Sequence, residues 1–321
     1  MIIVKLKGGL GNQLFQYAMG RSLALKKNTL MKIDNVSGFR NDPYGRVYSL
    51  GYFNIVENFA SAEEVATYSK TNDRGYVYRI LNKLKPYYRR SIVAESVANR
   101  IMNSFRPYYK CSVVEEQRQH QFNYDPNILL TNDDVYLEGY WQNEKYFITI
   151  SNLIRQEFRL RFTSDWLNQS IAHQIINTNS VSVHLRRLHG VSADGRKKFI
   201  EEIKLHGACS IEYYQAAIHE LTEAVGNPHF FIFSDDHDWA QEHLNLDYPI
   251  TFVTHNDVDK CHEDLRLMSL CKHHIIANSS FSWWGAWLSD NPNKIVIASK
   301  KWLNTNKFRT EGLIPDSWHR I

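Results

Sequence analysis

Three short apolar runs in the second half of the chain each end in residues suited to an anionic ligand. Val181-Ser182-Val183-His184-Leu185 alternates in the manner of a strand and runs into Arg186 and Arg187. His229-Phe230-Phe231-Ile232-Phe233 ends in Ser234-Asp235-Asp236. His273-His274-Ile275-Ile276-Ala277 ends in the small polar residues Asn278, Ser279, Ser280 and Ser282. Beyond them Trp283, Trp284, Trp287 and Leu288 recur at helical spacing. A strand, a polar turn and a helix start leave backbone N–H groups without intrahelical partners, and the helix dipole adds partial positive charge there. An arginine fork matches phosphate with two parallel charge-assisted bonds. A carboxylate at a neighbouring strand end suits the N–H edge of guanine. Ligands of open α/β sheets sit outside the carboxyl ends of the strands, so the three ends together point to a nucleoside diphosphate. Taken alone, the turn from Asn278 to Ser282 also reads as an N-cap on a buried helix.

These ends need a sheet behind them. The chain opens on a strand, Ile2 to Leu6, then a loop, Lys7-Gly8-Gly9-Leu10-Gly11-Asn12-Gln13, then a helix from about Leu14 to Lys27. A second strand, Leu30 to Ile33, ends at Asp34. This βαβ opening predicts a parallel sheet. Gly9 and Gly11 begin a G-x-G-x-x-G pattern, but Leu14 replaces the third glycine, which weakens a dinucleotide reading. The loop still brings backbone close to the cleft, and Asn12 and Gln13 offer amides to it. Val135 to Trp141 reads as a strand closing the first half, and Tyr146 to Phe162 as a helix. Strands near 181, 230, 251, 274 and 295 then alternate with helices. The expectation is two Rossmann-like α/β domains facing a cleft: residues 1–172 on the acceptor side and 173–321 on the nucleotide side. The first carries a basic, tyrosine-rich helical insertion at about 62–118.

With 321 residues, 43% hydrophobic and 22% charged, the chain can bury two cores and resembles an ordinary soluble protein. A net charge of +4 and the absence of a recognition motif argue against nucleic acid. Residues 74–110 are strongly basic and contain one acidic residue, Glu95. That segment reads as a solvated insertion or as a peripheral contact with an anionic membrane. Cys111, Cys209, Cys261 and Cys271 have neither zinc nor redox spacing and read as free thiols. No signal peptide or membrane-length run is evident, so a cytoplasmic protein is expected, with peripheral inner-membrane contact through 74–110.

Four segments carry a family resemblance. They are Gly8 to Ala18, Gly139-Tyr140-Trp141-Gln142, the His184-x-Arg186-Arg187 run, and Ala277 to Trp287. In content and order they resemble the α-1,2-fucosyltransferases of glycosyltransferase family 11. The resemblance implies a GT-B-like fold, GDP-β-L-fucose as donor, and inverting transfer to the 2-hydroxyl of a terminal galactose. The acceptor would be an O-antigen, capsule or H-antigen-like glycan, free or lipid-linked. No metal or other cofactor is implied. It also implies that Arg186 holds the β-phosphate, that His184 lies near the guanosine, and that Asp236 accepts from the guanine edge. Asn278, Ser279, Ser280 and Ser282 would line the diphosphate. The family usually continues with Gly-Asp-Tyr where this chain has Leu188-His189-Gly190. The candidates for the catalytic base are then His189, Asp194 or another carboxylate.

Other readings remain open from sequence. Asp257-Val258-Asp259 has the form of an Asp-x-Asp metal motif. A fucosyltransferase of another linkage would share the donor motif. A protein that binds the nucleotide sugar without turnover is the non-enzyme alternative.

Overall fold

The computed structural model describes residues 1–69, 112–117, 122–188, 191, 198–305, 307–310 and 312–321. The basic segment 74–110, His189 and Asp194 lie outside the described residues.

The first half is built on β1 (Ile2–Lys5), β2 (Met31–Asp34), β3 (Ser112–Glu115) and β4 (Val135–Glu138), ordered β2-β1-β4-β3 and parallel throughout. Strand β3 falls within the expected insertion and is an integral edge strand of this sheet. Helix α1 (Leu10–Lys26) crosses from β1 to β2, as the βαβ opening requires. It starts four residues earlier than expected, so Leu10 to Gln13 is its first turn and not a loop. Gly9 occupies the N-cap with extended backbone and no side-chain cap. Gly11, in the first turn, permits a close backbone approach that a Cβ would block, which is why the sequence there looks loop-like while the chain is helical. The other α-helices among the described residues of this half are α2 (Ala62–Ser69) and α3 (Ser151–Glu157), so the long helix expected from Tyr146 is a short one entered through 3-10 turns.

The second half carries β5 (Asn179–Leu185), β6 (Pro228–Ser234), β7 (Ile250–Val253), β8 (His273–Ile276), β9 (Val296–Ala298) and β10 (His319–Arg320). Their order is β10-β9-β8-β5-β6-β7, again all parallel. The nearly continuous burial of β5 and β6 is what a parallel sheet covered on both faces demands. The helices of this half are α4 (Trp166–Asn177), α5 (Ile200–His206), α6 (Ile211–Ala224), α7 (His237–His243), α8 (Cys261–Leu270) and α9 (Ser280–Leu288). Helix α4 spans the expected division at 172/173 and buries Ile171, Ala172 and Ile175 with Phe231 and Phe233 of the second sheet. Two parallel α/β halves joined in this way form the expected GT-B-like arrangement.

An aromatic seam joins the halves. Trp283, Trp284 and Trp287 on α9 pack against Phe15 of α1 and against Phe147, with ring centroids 4.5–6.5 Å apart. Each indole N–H finds an acceptor on a different segment. Trp284 donates to the Gly11 carbonyl at 3.0 Å, Trp287 to Glu144 Oε2 at 2.9 Å, and Trp283 to the Leu313 carbonyl at 2.9 Å. Buried indoles need such partners, so the three bonds fix both the position and the rotation of α9.

Candidate active site

The site lies where the carboxyl ends of β5, β6 and β8 meet the start of α1. Helix α9 begins with Ser279 as its N-cap, whose Oγ accepts from Phe281 N at 3.3 Å. Gly11 lies directly against it. A Cβ on Gly11 would stand 2.6 Å from Phe281 N and 2.8 Å from the Ser280 carbonyl oxygen. Ser280 Oγ donates to Asn12 Oδ1 at 3.0 Å, and the same oxygen accepts from Gln142 Nε2 at 2.7 Å. Asn12 thus ties the helix start of one half to the Gly139–Gln142 turn of the other. Gln13 is wholly buried and faces inward. It donates to the Gly8 and Val47 carbonyls at 2.9 Å and accepts from Ser49 N at 2.8 Å, pinning the loop after β2.

The four polar residues of the α9 turn are placed unequally. Asn278 is buried, and its Nδ2 donates to the carbonyls of His206, Gly207 and Trp302 at 3.0–3.2 Å. It holds the end of α5 and the C-terminal segment to the turn. Ser282 is buried too, and its Oγ donates back to the Ala277 and Ser279 carbonyls at 3.4 and 3.3 Å. Ser279 and Ser280 are half-buried at the mouth. What the turn presents to a ligand is therefore its backbone and the helix start more than the amide of Asn278 or the hydroxyl of Ser282.

At the end of β5, Arg186 Nη1 pairs with Asp235 Oδ2 at 2.6 Å. The Asp235 carboxylate also accepts from the backbone N–H groups of Arg187 and Leu188 at 2.8 and 3.1 Å. Asp235 therefore sets both the guanidinium and the strand exit. Its neighbour Asp236 is the N-cap of α7 and accepts from Trp239 N at 3.3 Å. The Arg187 guanidinium lies over the Trp239 ring, 3.9 Å from its centroid. His184 is buried behind Arg186 with Nδ1 unpartnered among the described residues. Burial, only partly offset by Asp235, pushes its pKa down to about 4, so it is a neutral imidazole at physiological pH.

Sequence reasoning passes over three residues. In sequence, Asp235 cannot be told from Asp236 at the strand end; only the register of β5 beside β6 shows which carboxylate faces Arg186. Arg46 lies in a stretch that reads as loop. Glu116, just past β3, accepts from Tyr140 N at 2.6 Å and Trp141 N at 3.1 Å. Trp141 adopts a positive φ of 54°, a backbone state unusual for a large side chain. The Glu116 carboxylate holds that turn in place. Burial pushes its pKa up to about 7, against the pull of the two N–H bonds and of Lys7.

The Asp-x-Asp reading has little geometric support. Asp257 caps a 3-10 turn, accepting from Lys260 N at 3.2 Å. Among the described residues, no group of three His, Cys, Asp or Glu side chains is placed to hold a metal ion.

Comparison with known proteins sets this geometry in a family. The chain is 32% identical to an alpha-1,2-colitosyltransferase of Escherichia coli, covering 100% of this chain and 99% of that protein. It is 31% identical to the O-antigen biosynthesis glycosyltransferase WbnK of Escherichia coli, covering 98% of each. Among solved structures, it resembles the NodZ alpha-1,6-fucosyltransferase soaked with GDP-fucose at 13% identity and a TM-score of 0.49, over 92% of this chain and 94% of that one. The family described as Glycosyl transferase family 11 matches residues 70–321. With most of its length matched, and with two full-length relatives above 30% identity, the chain belongs to glycosyl transferase family 11 and is a glycosyltransferase.

Proposed function

We propose that the protein transfers L-fucose from GDP-β-L-fucose to the 2-hydroxyl of a terminal galactose, inverting the anomeric centre, in the assembly of an O-antigen or related glycan. The observation that carries this is Arg186, oriented by Asp235 at the carboxyl end of β5 beside the strand that leads into α9. As the glycosidic bond breaks, negative charge grows on the β-phosphate. A guanidinium and a helix start fixed beforehand bind that charge more strongly in the transition state than in the ground state, and that difference is the catalysis. Asp236 would meet the guanine edge, and neutral His184 would lie near the guanosine. The base for the acceptor hydroxyl is His189 or Asp194, and a largely dissociative step asks little of it. No metal is needed in this reading, because arginine and backbone supply the positive charge. The acceptor is lipid-linked in this proposal, reached from the cytoplasmic side with residues 74–110 against the inner membrane. No helix among the described residues is long and apolar enough to cross a membrane.

A second reading has a specific observation behind it. One full-length relative is a colitosyltransferase. Colitose is L-fucose without the 3-hydroxyl, so the same site could take either donor.

The test is acceptor-dependent GDP release in EDTA, with GDP-fucose and GDP-colitose as rival donors, over a panel of β-galactosides. The product linkage is read by NMR. Fucose on the galactose 2-hydroxyl is the expected product, and Arg186→Ala should lower turnover by about 10²-fold or more. Wild-type turnover in that variant would sink the role given to Arg186. Turnover that requires manganese would return Asp257 and Asp259 to consideration, and turnover with GDP-colitose alone would favour the second reading.

A further inference from the structure

Arg46 reaches the site from the half opposite Arg186. It follows β2 in a tight loop in which Asp42 Oδ1 accepts from Tyr44 N at 2.9 Å and from Arg46 N at 3.1 Å. Its guanidinium lies over the Tyr44 ring, 4.1 Å from the centroid. The Tyr44 ring in turn meets Phe199 of the second half at 4.6 Å. The loop is therefore wedged against the other half. Its arginine stands beside the glycine start of α1, with Nε 3.9 Å from where a Gly9 Cβ would be. A residue much larger than alanine at position 9 would crowd this guanidinium.

His206, at the end of α5, is tied to the α9 turn, its carbonyl accepting from Asn278 Nδ2 at 3.0 Å. Burial lowers its pKa first, the Glu202 carboxylate 3.3 Å from its Nε2 opposes that, and Arg46 and Arg186 both lower it further. Arg186 has Asp235 as counter-ion, whereas Arg46 makes no ion pair among the described residues. Cations gathered in a partly buried junction repel one another unless an anion sits between them.

We infer that Arg46 is a phosphate-binding residue contributed by the first half, gripping the diphosphate of the nucleotide sugar from the side opposite Arg186. The inference rests on the nucleotide-sugar reading of the site. A planar guanidinium stacked on Tyr44 keeps its N–H edges free for phosphate oxygens, and the stacking limits the freedom lost on binding. The diphosphate is then shared between the halves, so the donor site is complete only when both are present.

The test uses the full chain. GDP affinity is measured by calorimetry and guanosine affinity by ligand-observed NMR, for wild type, Arg46→Gln and Arg46→Lys, at low and high ionic strength. Arg46→Gln should weaken GDP about 10- to 100-fold, leave guanosine within about twofold, and flatten the salt dependence. Arg46→Lys should fall between, because it keeps the charge but loses the fork. Unchanged GDP affinity in Arg46→Gln, with wild type binding GDP, overturns the inference alone. Equal losses for GDP and guanosine also overturn it, by assigning Arg46 a merely structural part. A wild-type protein that binds no GDP overturns the nucleotide-sugar reading itself.

Discussion

Gly11→Ala tests the contact on which the junction depends. The added Cβ would stand 2.6 Å from Phe281 N and from the Ser280 carbonyl carbon, and 2.8 Å from the Ser280 oxygen. These are backbone atoms, so no flexible side chain can move aside. Restoring ordinary contact requires α1 and α9 to part by roughly 1 Å, an overpacking of about 1–3 kcal/mol. That shift would stretch two hydrogen bonds now at 3.0 Å, Trp284 Nε1 to the Gly11 carbonyl and Ser280 Oγ to Asn12 Oδ1. Each contributes about 1 kcal/mol. Alanine's better helix propensity returns about 1 kcal/mol. The net expectation is a loss of about 2–4 kcal/mol, a large share of a typical folding free energy of about 5–15 kcal/mol. The control is Gly9→Ala, where the nearest atom to the new Cβ is Arg46 Nε at 3.9 Å, an ordinary contact. Urea unfolding should show a clear drop in midpoint for Gly11→Ala and little change for Gly9→Ala. GDP-release turnover should fall in Gly11→Ala even at temperatures where it stays folded, because the helix start has moved. Equal midpoints for the two variants would refute the claim that close backbone approach, and not loop flexibility, explains the glycine at position 11.

Two further substitutions separate structure from binding. Asn278→Ala removes the donor shared by three carbonyls, one of them buried, and should cost about 1–3 kcal/mol in denaturant unfolding. If instead stability is unchanged and only GDP affinity falls, the side chain faces the ligand and not the fold. Asp264 addresses pH. Burial pushes its carboxyl up to about 7 against the hydrogen bond from Asn256. A folded-state pKa raised above the unfolded value means its stabilising contribution is full below about 4 and is lost as pH rises through about 7. Asp264→Asn should therefore gain stability relative to wild type between about pH 5 and pH 8, by an amount on the order of 2 kcal/mol, read from unfolding midpoints across that range. A difference that does not change with pH would show that Asp264 is ionised in the folded protein throughout.

Much of the site is legible in the sequence because each signal is local. The apolar runs at 181–185, 229–233 and 273–277 become β5, β6 and β8, since a strand buried on both faces leaves a continuous hydrophobic record. The polar residues at the end of each run are local signals too, so Arg186 and the Asn278–Ser282 turn stand out. Pairings across the sheet leave no such record. Nothing in Ser234-Asp235-Asp236 says that Asp235 faces Arg186 while Asp236 turns to cap α7. The Gly9–Gly11 stretch misleads for a related reason. Glycine usually marks a loop, but here it marks a helix start pressed against another helix about 270 residues further along the chain, and only the packed structure distinguishes the two.

The same packing restricts how the enzyme can move. Trp283 and Trp284 have no exposed surface and Trp287 almost none, and all three sit in a core that also holds Phe15, Phe147 and Phe158 from the first half. Swinging the halves apart along this seam would expose those rings at about 2–3 kcal/mol each, and would also break the indole hydrogen bonds of Trp284 and Trp287. A free hinge between rigid domains would not survive that cost during each turnover. The seam therefore fixes α1 against α9 while substrate enters and product leaves. Adjustment to the ligand then falls to the rim, where Arg46 and Tyr44 are held by a single loop. This division fits the proposed chemistry. In that reading, the groups that stabilise charge on a leaving diphosphate gain from being immobile, whereas the groups that grip and release the nucleotide must be able to let go.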